Sequence, residues 1–62
     1  MKLWIERDKD GTLYLYEEKP KLAHSNASYF VANSGCYELP IDLFPEVTFE
    51  NSPKEVELKL VK

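Results

Sequence analysis

Residues 6 to 17 read ERDKDGTLYLYE, and their acids are spaced like the ligands of a calcium-binding loop. Glu6, Asp8 and Asp10 fall on the first three ligand positions, Gly11 on the sharp turn, Leu13 on the apolar position and Glu17 on the closing bidentate acid. Such a loop needs a helix on each side, but only five residues precede Glu6 and a strand-like pattern follows Gly11. Tyr14 stands where a short polar ligand is usual, and Glu6 is longer than the Asp that the tight first position favours. The competing reading is a β-hairpin turned at Asp8-Lys9-Asp10-Gly11. Asp8 would accept from the turn backbone and Gly11 would take a positive φ without penalty. Both readings need the same backbone, so only one can hold. The hairpin is expected, with no calcium.

The other reactive residues are sparse. Cys36 is the single cysteine and His24 the single histidine. An intrachain disulfide is excluded, and a zinc site would need more soft ligands than these two. A Cys-His dyad would need an orienting third group, which the spacing does not supply. His24 reads as an exposed loop residue and Cys36 as a small structural one. The acids Glu17, Glu18, Asp42 and Glu46 read as a solvated rim, and Gly11 and Gly35 are too few for a phosphate loop. No catalytic, cofactor-binding or metal-ligating residue is assigned, and a non-enzymatic protein is expected.

The elements that would hold these residues follow from alternation. KLWIERD puts Leu3, Ile5 and Arg7 on one face and Lys2, Trp4 and Glu6 on the other. TLYLYEE puts Leu13 and Leu15 opposite Tyr14 and Tyr16. Period-two patterning rich in aromatic residues reads as strand. If Asp8 pairs with Thr12, then Ile5 meets Leu15, Trp4 meets Tyr16 and Glu6 meets Tyr14, a register that keeps aliphatic and aromatic faces apart. Residues 19 to 28 have no period and read as a loop. SYFVA and CYELP, separated by Asn33-Ser34-Gly35, suggest a second hairpin. Asp42 could cap a short helical turn near 42–46, ended by Pro45. Val47-Thr48-Phe49 reads as a short extended piece, and Glu50 to Pro53 as a turn. KEVELKLVK alternates, with Val56, Leu58 and Leu60 inward.

The expectation is therefore a single β-rich domain over residues 1–62. It would be all-β, with about five antiparallel strands: two hairpins plus a C-terminal strand. The expected core is Leu3, Ile5, Leu13, Leu15, Phe30, Leu39, Leu43, Phe44, Val56, Leu58 and Leu60. A chain this short buries a modest fraction of its surface. Its sheet must curl into a partly open SH3-like barrel or cover a face elsewhere, for example by pairing with a second copy.

Trp4, Tyr14 and Tyr16 share the face opposite the aliphatic residues, which makes them a candidate interaction surface unless the fold covers that side too. Base stacking on such a face normally comes with a basic groove. Here 11 acids outweigh 8 bases for a net charge of −3, and Glu6 sits among the rings. Single-stranded nucleic acid is thus the weaker alternative to a protein partner or a homodimer. The opening MKLWIERD alternates instead of running apolar as a signal peptide would, and no apolar stretch approaches membrane length. A cytoplasmic location without membrane contact is expected.

Two stretches, MKLWIERDKDGTLYLYEEKP and ELPIDLFPEVTFENSPKEVELKL, resemble the start and end of small uncharacterised bacterial proteins. Those proteins occur in gut commensals and near phage-like or mobile elements. The resemblance implies a bacterial, cytoplasmic setting in which small interaction proteins are common. It implies no activity and no site residues.

Overall fold

The turn at Asp8-Lys9-Asp10-Gly11 sets the first hairpin. In the computed structural model, which describes residues 1–61, Asp8 N–H donates to the Thr12 carbonyl at 2.8 Å and Gly11 N–H to the Asp8 carbonyl at 2.9 Å. Gly11 has φ +100°, which a side chain would resist, and Asp10 Oδ1 accepts from Thr12 N–H at 2.9 Å. The turn joins β1 (Lys2–Arg7) to β2 (Leu13–Tyr16). Their register pairs Trp4 with Tyr16, Ile5 with Leu15 and Glu6 with Tyr14, as the alternation required.

Four further strands follow: β3 (Lys21–Leu22), β4 (Phe30–Val31), β5 (Cys36–Leu39) and β6 (Lys54–Glu57). The chain is all-β over its described residues. One antiparallel sheet has the order β5-β2-β1-β6, and a two-stranded ribbon pairs β3 with β4. The larger sheet is open, because its edge strands β5 and β6 do not meet.

Three local expectations are corrected. The second hairpin is β3–β4: Lys21–Leu22, inside the segment 19–28 read as loop, pairs with Phe30–Val31 of SYFVA, and SYFVA does not pair with CYELP. Strands of two residues carry no visible period. β5 instead joins the free edge of β2, where Leu13 meets Leu39 and Leu15 meets Tyr37. Apolar pairing across the sheet outweighs the proximity of β4 in sequence. The helical turn near 42–46 is absent; two successive β-turns stand there, closed by Leu43 N–H to the Pro40 carbonyl (3.1 Å) and Val47 N–H to the Phe44 carbonyl (2.9 Å). Val47-Thr48-Phe49 forms no strand. Thr48 and Asn51 exchange side-chain-to-backbone bonds that bend the chain locally.

Each face of the sheet meets a different layer. The aliphatic face packs Ile5 and Leu13 against Val47, with Leu15, Leu39 and Val56 at the margin. The aromatic face lies beneath residues 19–34. Pro20, Ala27 and Phe30 are buried there, the Phe30 ring meets Phe49 edge-on at 5.7 Å, and Lys9 N–H donates to the Ser28 carbonyl at 2.9 Å. Leu3, Ile5, Leu13 and Phe30 belong to the core as expected; Leu43, Phe44, Leu58 and Leu60 do not. Leu58 and Leu60 lie beyond the end of β6 and are exposed.

Candidate functional site

On the aromatic face Trp4 and Tyr14 are half-buried, and Tyr16 is only 4% exposed. The three do not form a free surface together. Tyr14 meets Tyr16 edge-on at 6.4 Å, and Lys19 places its ammonium 5.4 Å from the centre of the Trp4 ring. The Tyr16 hydroxyl donates to Glu6 Oε1 at 3.0 Å and also lies 3.3 Å from the Phe30 carbonyl. The strand that fixes Trp4 and Glu6 on one side thus carries a carboxyl into the interior, where Glu6 is fully buried.

Burial, reinforced by a hydrogen bond and by charge from the neighbouring Asp8, pushes the Glu6 carboxyl up to about 8. The Tyr16 hydroxyl acts the other way. Burial also raises Asp8, against its bond with Glu6. It raises Tyr16 too, helped by the Glu6 charge, so the phenol stays protonated and keeps donating. Glu6 Oε2 and Asp8 Oδ1 have no other partner. A proton shared between the two carboxyls would satisfy both, since a neutral carboxyl donates where a carboxylate can only accept. A raised carboxyl is the usual mark of a general acid. Here the Glu6 side chain is fully buried, and the contact from the hairpin to the layer above runs through the Tyr16 hydroxyl, which lies at the Phe30 carbonyl.

Arg7 shows the opposite economy on the aliphatic face. Nε donates to Val47 (2.6 Å), Nη1 to Gly11 (2.8 Å) and Ile41 (3.0 Å), and Nη2 to Leu43 (2.9 Å) and Phe44 (3.1 Å), all main-chain carbonyls. Every guanidinium donor is used, and none meets a carboxylate. The clamp draws residues 41–47 over one end of the face. It also holds Phe44 at φ 50°, a left-handed conformation that costs a bulky residue energy and that its surroundings must enforce.

The other end of that face stays open. A groove of about 340 Å³ is lined by Leu3, Leu15 and Leu39, by Val56 of β6 and Leu58 just beyond it, and by Leu43 and Phe44. Its lining is nearly all apolar. A second hollow of about 440 Å³ lies by Glu18, Lys19, Lys21 and Asn33, where mixed charges converge on nothing. His24 is exposed, and its Nδ1 accepts from Asn26 N–H at 3.3 Å; Cys36 is exposed on edge strand β5. Among the described residues, no three His, Cys, Asp or Glu side chains could share a metal ion, and no helix is long and apolar enough to cross a membrane.

No family model, curated protein or solved structure matches the chain. Its function must therefore be read from its own surfaces. Three residues central to them were open to sequence reasoning as exceptions to a pattern. Glu6 is the acid in an aromatic stripe, Arg7 is the cation in an aliphatic one, and Leu58 continues an apolar alternation past the end of β6.

Proposed function

We propose that this chain is a small non-enzymatic interaction module that takes an extended polypeptide along the open edge of β6, with the partner's alternate apolar side chains entering the adjoining groove. The observation that carries this reading is that β6 is a sheet edge and that its Val56 and Glu57, with Leu58 directly after it, line the groove. Edge addition works this way: main-chain hydrogen bonds give affinity, and pockets for alternate side chains give selectivity. A groove with few polar groups suits aliphatic or aromatic side chains. The aromatic surface is the weaker candidate, because Tyr16 is interior and Lys19 already covers Trp4. The same two facts weigh against base stacking on that face.

The test is selection of extended peptides from a displayed random library, counter-selected on Glu57→Pro. Glu57 stands opposite Lys2 in the ladder, and its N–H points away from β1. Proline there removes an outward donor and spares the β1 bonds. The expected peptides alternate apolar residues and lose binding to both Glu57→Pro and Leu58→Ser. Peptides that bind both variants unchanged, or that need Trp4, would overturn the reading.

A further inference from the structure

We propose that the polypeptide which occupies the β6 edge is the β6 segment of a second copy of this chain, antiparallel and centred on Leu58. The proposal deepens the edge-binding reading above and rests on it. Leu58 N–H donates to the Met1 carbonyl at 2.8 Å and the Met1 ammonium reaches the Leu58 carbonyl at 3.3 Å, while Leu3 pairs with Val56 and Ile5 with Lys54. In an antiparallel ladder bonded pairs alternate with unbonded ones. Residues 54, 56 and 58 therefore spend their main-chain groups on β1. Within β6, residues 55 and 57 point theirs to the open side, and a chain that stays extended one residue past the Leu58–Met1 bonds presents Lys59 in the same way.

That parity limits how two β6 segments can meet. Odd residues must bond odd residues, so the two-fold axis passes through a residue and never between two. Side-chain charge then separates the registers centred on residues 56 to 59. A centre at Val56 sets Glu55 against the partner's Glu57 twice. A centre at Glu57 pairs Glu55 with the partner's Lys59 twice but sets Glu57 against its own copy on the axis, and a centre at Lys59 sets two lysines against each other there. A centre at Leu58 sets Glu57 against the partner's Lys59 twice, in the bonded pairs, and the reverse pairing is identical by symmetry. The side chains of Glu57 and Lys59 already lean together at 3.7 Å on one exposed face. On the opposite face Leu58 meets the partner's Leu58, and Val56 meets the partner's Leu60.

This arrangement covers two of the most exposed aliphatic side chains. Leu58 is 60% exposed and Leu60 88%, directly beside the groove that Val56 and Leu58 line. The two four-stranded sheets become one continuous sheet, and the two grooves meet across the axis. A contact built on one strand per copy is small, so the dimer is weak and concentration-dependent.

Sedimentation equilibrium of the full chain over a dilution series from micromolar to millimolar tests it, with Glu57→Lys and Lys59→Glu made separately. Both side chains are exposed, and circular dichroism verifies that the fold persists. The wild type is expected to pass from monomer to dimer. Each variant alone should dissociate at least tenfold more readily, because it sets like charges against each other. An equimolar mixture of the two variants should dimerise again, because every cross-strand pair is then complementary. A wild-type monomer throughout overturns the proposal, as does a dimer indifferent to both variants. The peptide selection separates the two levels of failure: a monomer that still takes peptides at the Glu57→Pro-sensitive edge removes the self-pairing alone, and one that takes none removes both readings.

Discussion

The two faces of the β5-β2-β1-β6 sheet are covered to different degrees, and by different chemistry. The aromatic face closes on a polar contact: the buried Tyr16 hydroxyl donates to Glu6 and lies at the Phe30 carbonyl of the β3–β4 ribbon. The aliphatic face closes at only one end, where Arg7 ties down residues 41–47, and is open at the other. Hydrophobicity alone would have sealed the aliphatic side first. Rings with polar tips give a covering segment something to bond to, whereas methyl groups need a covering segment of complementary shape. Beyond the reach of Arg7, residues 40–53 do not supply that shape.

Breaking the closed face should give the largest effect. Tyr16→Ala removes a buried ring and the donor to Glu6, and is expected to cost about 4 kcal/mol of stability in urea unfolding. A loss below about 1 kcal/mol would mean that the ribbon does not depend on this contact.

Next comes the proton. The folded-state value of Glu6, about 8, lies above its unfolded value of 4.5, so folding takes up a proton between the two. The stability that Glu6 contributes is fully present below about pH 4.5 and is lost as pH rises through about 8. Glu6→Gln keeps an acceptor for Tyr16 and a permanent donor for Asp8. It should flatten that decline, for a gain on the order of 2 kcal/mol at pH 8 and little change at pH 4.5. Thermal melts across pH 4 to 9 show this directly; parallel curves for the two proteins would place no shared proton there.

Arg7→Ala should cost less, roughly 1–2 kcal/mol, because several of the released carbonyls can take up water. Its mark is local. Residues 41–47 should become a site of rapid protease nicking while the β1–β2 amides stay protected from exchange. Equal loss of protection in both regions would show that the clamp serves the whole fold.

The smallest effect belongs to the open face. Leu58→Ser should shift monomer stability by under about 0.5 kcal/mol, measured at a concentration where no association occurs. A larger loss would mean that Leu58 is core, and that the groove is an internal packing surface.

The hairpin was legible in the sequence down to its register, because turn, alternation and cross-strand chemistry agree within 15 residues, Lys2 to Tyr16. The candidate aromatic surface was legible only in part. Alternation placed Trp4, Tyr14 and Tyr16 together, but whether a face is covered depends on where residues 19–34 travel, and strands as short as β3 and β4 leave no period to read. The same limit applied to β5, whose partner is 20 or more residues away in sequence.

The sequence by itself determined the β class, the first hairpin and which side chains share a face, since those follow from local geometry and a period of two. Only the tertiary structure decided which face is closed, that Glu6 is buried against Asp8 and Tyr16, and that Leu58 lines an open groove. Those outcomes depend on contacts between segments far apart in the chain. Burial and desolvation are properties of the assembled layers, and no spacing within a single segment encodes them.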